Sequence, residues 1–213
     1  MAANVAATNE MARALGQHHA TVGFIGSSHM RDTYKKIGAL LRLDGDIRRG
    51  IPAGYEGVCV QGGMTARMYN LTIPASRYPA PDVKIIWLGS NDCNPRNDLD
   101  YTDCQYVVFH LKQILKYWQL RGCRCYFISV VPMRVRPRGD LSSQDYWKRA
   151  NKVNRHMFRF MRWVRFNSFI RLPPICRDAL AYKADGCHLR DSVRNVIAHT
   201  VVDHILGDLR PRA

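Results

Sequence analysis

The feature that most narrows what this chain can fold into is its rhythm, in which short apolar runs alternate with longer amphipathic ones. Residues 83–88 (VKIIWL) form an apolar run ended by Gly89, the pattern of a strand covered on both faces of a parallel sheet. Residues 21–25, 57–61 and 165–170 read as further strands, and residues 124–131 (RCYFISVV) as another, halted by Pro132. Residues 29–41, 101–120, 145–164 and 191–206 read as helices. In the second of these, Val107, Leu111, Ile114, Leu115 and Trp118 keep helical spacing, and Gly122 stands where a helix stops. Strands separated by helices of this length predict an α/β fold, a three-layer α/β/α doubly wound sandwich on a parallel sheet of about five strands. The 213 residues suffice for one such domain over 21–213, with 1–20 as a loose leading segment and 133–140 as a linker-like stretch. Ligands of such sheets bind beyond the carboxyl ends of the strands.

Composition excludes several classes. No stretch approaches the roughly 20 apolar residues that span a bilayer. Residues 1–20 lack the basic and apolar regions of a secretory signal, since Asn9, Glu10, Arg13 and Gln17 interrupt them. The seven cysteines are an odd number without framework spacing, and Cys123 and Cys125 would share one strand face. Reduced, mostly buried thiols and an intracellular site, cytoplasmic or nuclear, are the expectation. Zinc-type spacing is missing, so no metal and no cofactor are expected. Charge is more informative: the chain carries +15, and between Arg124 and Arg177 13 basic residues face two acids, Asp140 and Asp145. That asymmetry suits either a solvated face or an anionic partner such as nucleic acid or a lipid headgroup surface.

Three polar clusters could carry chemistry. Gly26-Ser27-Ser28-His29 follows the first strand and opens a helix, whose N-terminus favours developing negative charge on a serine oxygen. Gly89-Ser90-Asn91-Asp92 follows the strand at 83–88, and its amide could donate to the same oxyanion. In Asp185-Gly186-Cys187-His188 a carboxylate three residues ahead of a histidine can hold one ring nitrogen while the other faces a nucleophile. Each cluster alone also reads as a helix cap, a turn or a surface pair. The nucleophile elbow G-x-S-x-G is absent, because Met30 occupies the second glycine position.

Taken in order, these clusters resemble the blocks of the SGNH hydrolases, also called GDSL esterases, from about residue 21 to 206. Gly26–Ser28 matches the GDS block, Gly63 in Gly63-Met64-Thr65 the glycine block (with Gly62 a near-equivalent), Gly89–Asp92 the G-x-N-D block, and Asp185–His188 the D-x-x-H block. The resemblance implies an SGNH hydrolase, flavodoxin-like fold. It implies a serine esterase acting on short-chain or acetyl carboxylic esters, lipid esters included, with Ser28 as nucleophile, His188 as base and Asp185 orienting His188. It also implies an oxyanion hole made by the Ser28 and Gly63 backbone N–H groups and the Asn91 side chain. Two positions depart from the family pattern: Ser27 replaces the aspartate of GDS, and no glycine follows His188 within residues 189–193. Among these proteins the chain is also similar to the esterase-like domains of animal retroelements, including those in the first open reading frame of some LINE-type elements. Its Gly-Ser-Ser, Gly62-Gly63-Met64-Thr65, Asp-Gly-Cys-His-Leu and Arg-rich body carry that likeness.

Within 145–164, Lys148, Lys152, Arg155, Arg159 and Arg162 recur at helical spacing opposite Ala150, Val153, Met157, Phe160 or Met161, and Val164. One face should pack on the sheet while the other presents five cations. These either solubilise the helix or track a phosphate backbone or anionic membrane. The alternative function is therefore a catalytically weak SGNH-like module that binds such a partner. Phe166, Phe169, Trp147 and Trp163 read as core. His29 reads as a pocket or first-turn residue, His18 and His19 as part of the loose segment, and His199 and His204 as residues of the last helix.

Overall fold

The computed structural model describes residues 22–41, 58–73, 80–93, 103–131, 143–164 and 167–209. The leading segment and the linker-like stretch at 133–140 lie outside them. Five parallel strands, β1 (Val22–Gly26), β2 (Val58–Val60), β3 (Val83–Trp87), β4 (Arg124–Ile128) and β5 (Asn167–Ile170), form one sheet in the order β2-β1-β3-β4-β5. The register runs Phe24 to Ile85 and Ile86 to Phe127 across the centre. The helices are α1 (Ser28–Leu40), α2 (Ala66–Thr72), α3 (Cys104–Leu120), α4 (Ser143–Arg162) and α5 (Asp191–Leu209). Helix α1 packs on α5, while α3 packs on both α2 and α4. The predicted doubly wound α/β architecture is the one observed.

The sheet core explains the apolar runs. All five residues of β3 are buried, including Lys84, whose ammonium sits 3.9 Å from the centre of the Trp118 ring. A cation inside a sheet core needs such a partner, and the electron-rich indole face supplies one. Trp87 turns its indole N–H onto the Ser129 carbonyl at 3.1 Å. All seven cysteines are free thiols, and five of them are buried. No helix among the described residues is long and apolar enough to cross a membrane.

Three local expectations need correction. Helix α2 was not anticipated, because seven residues are too few to show a period; its sequence signal is Thr65, whose hydroxyl caps the Met68 N–H at 3.1 Å. The strand expected over 124–131 ends at Ile128, where the chain turns into the loop at the sheet edge. Trp147 and Trp163 are not core. They are 40% and 88% exposed, because both lie off the buried stripe of α4 made by Tyr146, Ala150, Val153, Met157 and Met161. Phe169 packs against the core as expected, and Phe166 lies outside the described residues.

Candidate active site

The strand order reverses between β1 and β3, so the crevice where ligands bind in such sheets opens at the ends of these two strands. Ser28 is the first residue of α1, directly beyond β1, and is buried. The turn that delivers it depends on Gly26. A Cβ there would lie 2.2 Å from the Met30 Cβ and 2.9 Å from the Trp87 carbonyl oxygen, so only glycine lets α1 start so close to the sheet. Ser27, at the position of the missing aspartate, is buried, and its hydroxyl makes no cap on α1.

Residues 61–66 are held against this turn from two sides. The Gln61 N–H donates to the Gly26 carbonyl at 3.1 Å, and Met64 N–H closes back onto Gln61 at 3.3 Å. From β3, the Asn91 amide donates to the Met64 carbonyl at 3.0 Å, and both Asp92 carboxylate oxygens accept from the Ala66 N–H at 2.9 Å. Asp92 thus serves the N-terminus of α2, a role that sequence reading did not give it although it immediately follows Asn91. Burial pushes the Asp92 carboxyl up to about 6, against the opposing pull of the Ala66 and Arg67 N–H groups. Between the two clamps stands Gly63, with φ +78°, a left-handed conformation that favours glycine; Gly62 instead faces the Arg31 guanidinium.

Asp185 and His188 come from a hairpin closed by the Tyr182–Leu189 bridge and by the Lys183 N–H on the His188 carbonyl at 2.8 Å. Gly186, at φ +66°, makes the tight turn. One Asp185 oxygen accepts from the Cys187 and His188 N–H groups at 2.8 and 2.9 Å, and the other meets His188 Nδ1 at 2.7 Å. Partial burial works against the charge, but these hydrogen bonds outweigh it and hold the Asp185 carboxyl down at about 2. A carboxylate fixed on Nδ1 selects the tautomer that leaves Nε2 as the proton acceptor.

The His188 ring lies 6.1 Å from the ring of His29, the neighbour of Ser28, which puts this imidazole beside the first turn of α1. No hydrogen bond joins Ser28 to His188 in this structure. His29 is buried between His188 and Trp87, and its Nε2 has no partner. Desolvation, helped by the nearby His188, lowers its pKa to about 4, so at neutral pH it is an uncharged wall of the site. A second tie joins the two halves of the site and was not legible in the sequence. Buried Arg194 of α5 donates to Asp32 of α1 at 2.8 Å and also pairs with Asp191.

Of the other residues singled out, Lys148, Lys152, Arg155, Arg159 and Arg162 are all exposed along α4, as the stripe required. His204 Nε2 lies 2.8 Å from the Ser168 hydroxyl, far in sequence from the site, and His199 is exposed.

No protein-family model matches the chain, and no curated protein matches it. Solved structures do. A GDSL-like lipase from Bacteroides thetaiotaomicron superposes with a TM-score of 0.65 at 14% identity, covering 91% of each chain. A mutant of an acetyl-xylooligosaccharide esterase from Geobacillus gives 0.66 at 13% identity, over 91% of this chain and 97% of that one. An acetyl xylan esterase gives 0.58 at 14% identity, over 87% and 99%. The chain therefore has the fold of the SGNH/GDSL hydrolases.

Proposed function

We propose that this chain is a metal-independent serine esterase acting on short-chain or acetyl carboxylic esters. The observation that carries the reading is the Asp185–His188 contact at 2.7 Å, beside the helix N-terminus that begins with Ser28. In this reading His188 Nε2 takes the Ser28 hydroxyl proton as the oxygen attacks the ester carbonyl. The resulting oxyanion is met by the Ser28 and Gly63 N–H groups and by Asn91. Collapse of the tetrahedral intermediate breaks the ester C–O bond, and the alcohol leaves with the proton from His188. Water then attacks the acyl-serine, giving its proton to His188, and releases the acid. The acetyl preference draws on the fold neighbours, two of which are acetyl esterases. Wild-type protein should hydrolyse p-nitrophenyl acetate and be labelled by a fluorophosphonate, and Ser28→Ala should lose both while melting at the wild-type temperature. Full turnover by folded Ser28→Ala would remove the assignment.

A second reading, compatible with the first, comes from α4. Five exposed cations in one stripe, within a segment carrying +11, favour an anionic partner, either nucleic acid or an anionic membrane. It fits the likeness to retroelement-encoded domains. Reversing the charge of Arg159 and Arg162 should weaken retention of that partner and flatten its salt dependence.

A further inference from the structure

Beyond the ends of β4 and β5 the structure holds a cavity of about 580 Å³ that contains neither Ser28 nor His188. Its size is that of a small-ligand site. Its lining is chemically one-sided. Arg155, Arg171 and Arg177 stand around it and no acidic residue among the described residues lines it, while Trp147, Phe158 and Phe169 supply flat rings. Arg171 and Phe158 already stack, with the guanidinium carbon 4.5 Å from the ring centre. Two features of the fold meet here. The strand that ends early at Ile128 leaves Ser129 and Val130 as cavity wall, and Trp147, which is not core, is turned toward the opening.

We propose that this cavity binds a nucleotide unit of a single-stranded nucleic acid. The arginines would take the phosphates, and the rings of Trp147 and Phe158 would take the base. The inference rests on the second reading above and narrows it. A planar lipid surface would need cations on a flat or convex face, whereas these guanidiniums surround a concavity with aromatic walls. Arg-lined grooves interleaved with aromatic rings match single strands, whose unstacked bases offer a π-face and whose phosphates follow at regular intervals. Arg155 belongs both to the cavity and to the exposed stripe of α4, so a strand leaving the cavity can continue over Lys152 and Arg159. Two hydrogen bonds link the cavity wall to residues near the candidate active site. The Ser129 carbonyl in its wall receives the Trp87 indole N–H, and the carbonyl of Cys176, another wall residue, accepts from the Tyr182 hydroxyl at the foot of the Asp185–His188 hairpin.

The test is fluorescence anisotropy of a short fluorescein-labelled oligo-dT with the full chain at several salt concentrations, using three variants. A cavity variant carries Trp147→Ala with Arg171→Glu, a stripe variant carries Lys152→Glu with Arg159→Glu, and a control carries Lys35→Glu with Lys116→Glu on other exposed surfaces. Stacking is worth roughly 1 to 3 kcal/mol per base, so the cavity variant should bind about tenfold or more weakly at every salt concentration, with the control near wild type. Each variant's circular dichroism melt checks folding, and Trp147→Phe with Arg171→Gln is the milder pair if the first unfolds. If the stripe variant loses binding and the cavity variant does not, the cavity proposal fails while the second reading stands. If neither oligo-dT nor oligo-rU binds, the cavity proposal fails and the second reading keeps only its membrane branch. Binding to phosphatidylserine vesicles that the cavity variant abolishes, with no oligonucleotide binding, would overturn the proposal in favour of a lipid headgroup.

Discussion

Replacing His29 by leucine and, separately, Asp92 by asparagine should tilt the pH dependence of folding stability in opposite directions. Both groups are held away from their ordinary ionisation by burial, but on opposite sides. Asp92 titrates at about 6 when folded against 3.8 when unfolded, so the folded chain holds its proton more tightly. Its contribution to stability is full below 3.8 and is lost as the pH rises through 6. His29 titrates at about 4 when folded against 6.5 when unfolded, so the unfolded chain is the better proton acceptor. Its contribution is full above 6.5 and is lost as the pH falls toward 4. Between pH 4 and 7 each shift corresponds to about 2 to 3 kcal/mol, and the two oppose each other. Wild-type protein should therefore change little in stability across this window on their account. His29→Leu should become less stable on going from pH 4 to 7, by about 3 kcal/mol relative to wild type. Asp92→Asn should become more stable over the same range by about 2 kcal/mol. Urea unfolding followed by tryptophan fluorescence at pH 4, 5.5 and 7 reads both slopes. Parallel curves for all three proteins would refute the burial argument for both groups.

Asp185→Asn keeps the shape of the turn but loses the carboxylate that fixes His188, so ester turnover should fall by about three to four orders of magnitude; steady-state kinetics beside an unchanged melting temperature would show it. Gly26→Ala must push aside Met30 or the Trp87 carbonyl and should cost about 3 kcal/mol in a denaturant titration. Gly63→Ala meets no neighbour, but its φ of +78° costs an alanine about 1 kcal/mol. Its hydrolysis should fall tenfold or more if the Gly63 N–H serves the oxyanion, and wild-type kinetics would remove that role.

The parts of this protein that follow one-dimensional periodicity were legible before any coordinates. Val83–Trp87 reads as a buried strand because nearly every residue is apolar, and the α4 stripe is visible because 3.6-residue spacing separates Lys152 from Val153. Candidate site residues were legible for another reason: Ser28, Asn91, Asp185 and His188 sit in short blocks whose order resembles a known family. What escaped depends on pairs far apart in the chain. Nothing near Asp92 announces that its carboxylate reaches Ala66, and nothing near Arg194 points to Asp32. Trp147 was misread because hydrophobicity alone does not say on which side of a helix a ring stands. Lys84 escaped for the inverse reason, since its cost of burial is met by Trp118, a residue 34 positions further on.

The Arg194–Asp32 bond spans 162 residues and fastens the helix that starts at Ser28 to the helix that follows His188. A nascent chain emerging from the ribosome would carry Ser28 long before His188. On the proposed function, Ser28 would lack its proton acceptor until α5 docks on α1. Ester turnover would then report on this docking step. Limited proteolysis within α5 should silence it.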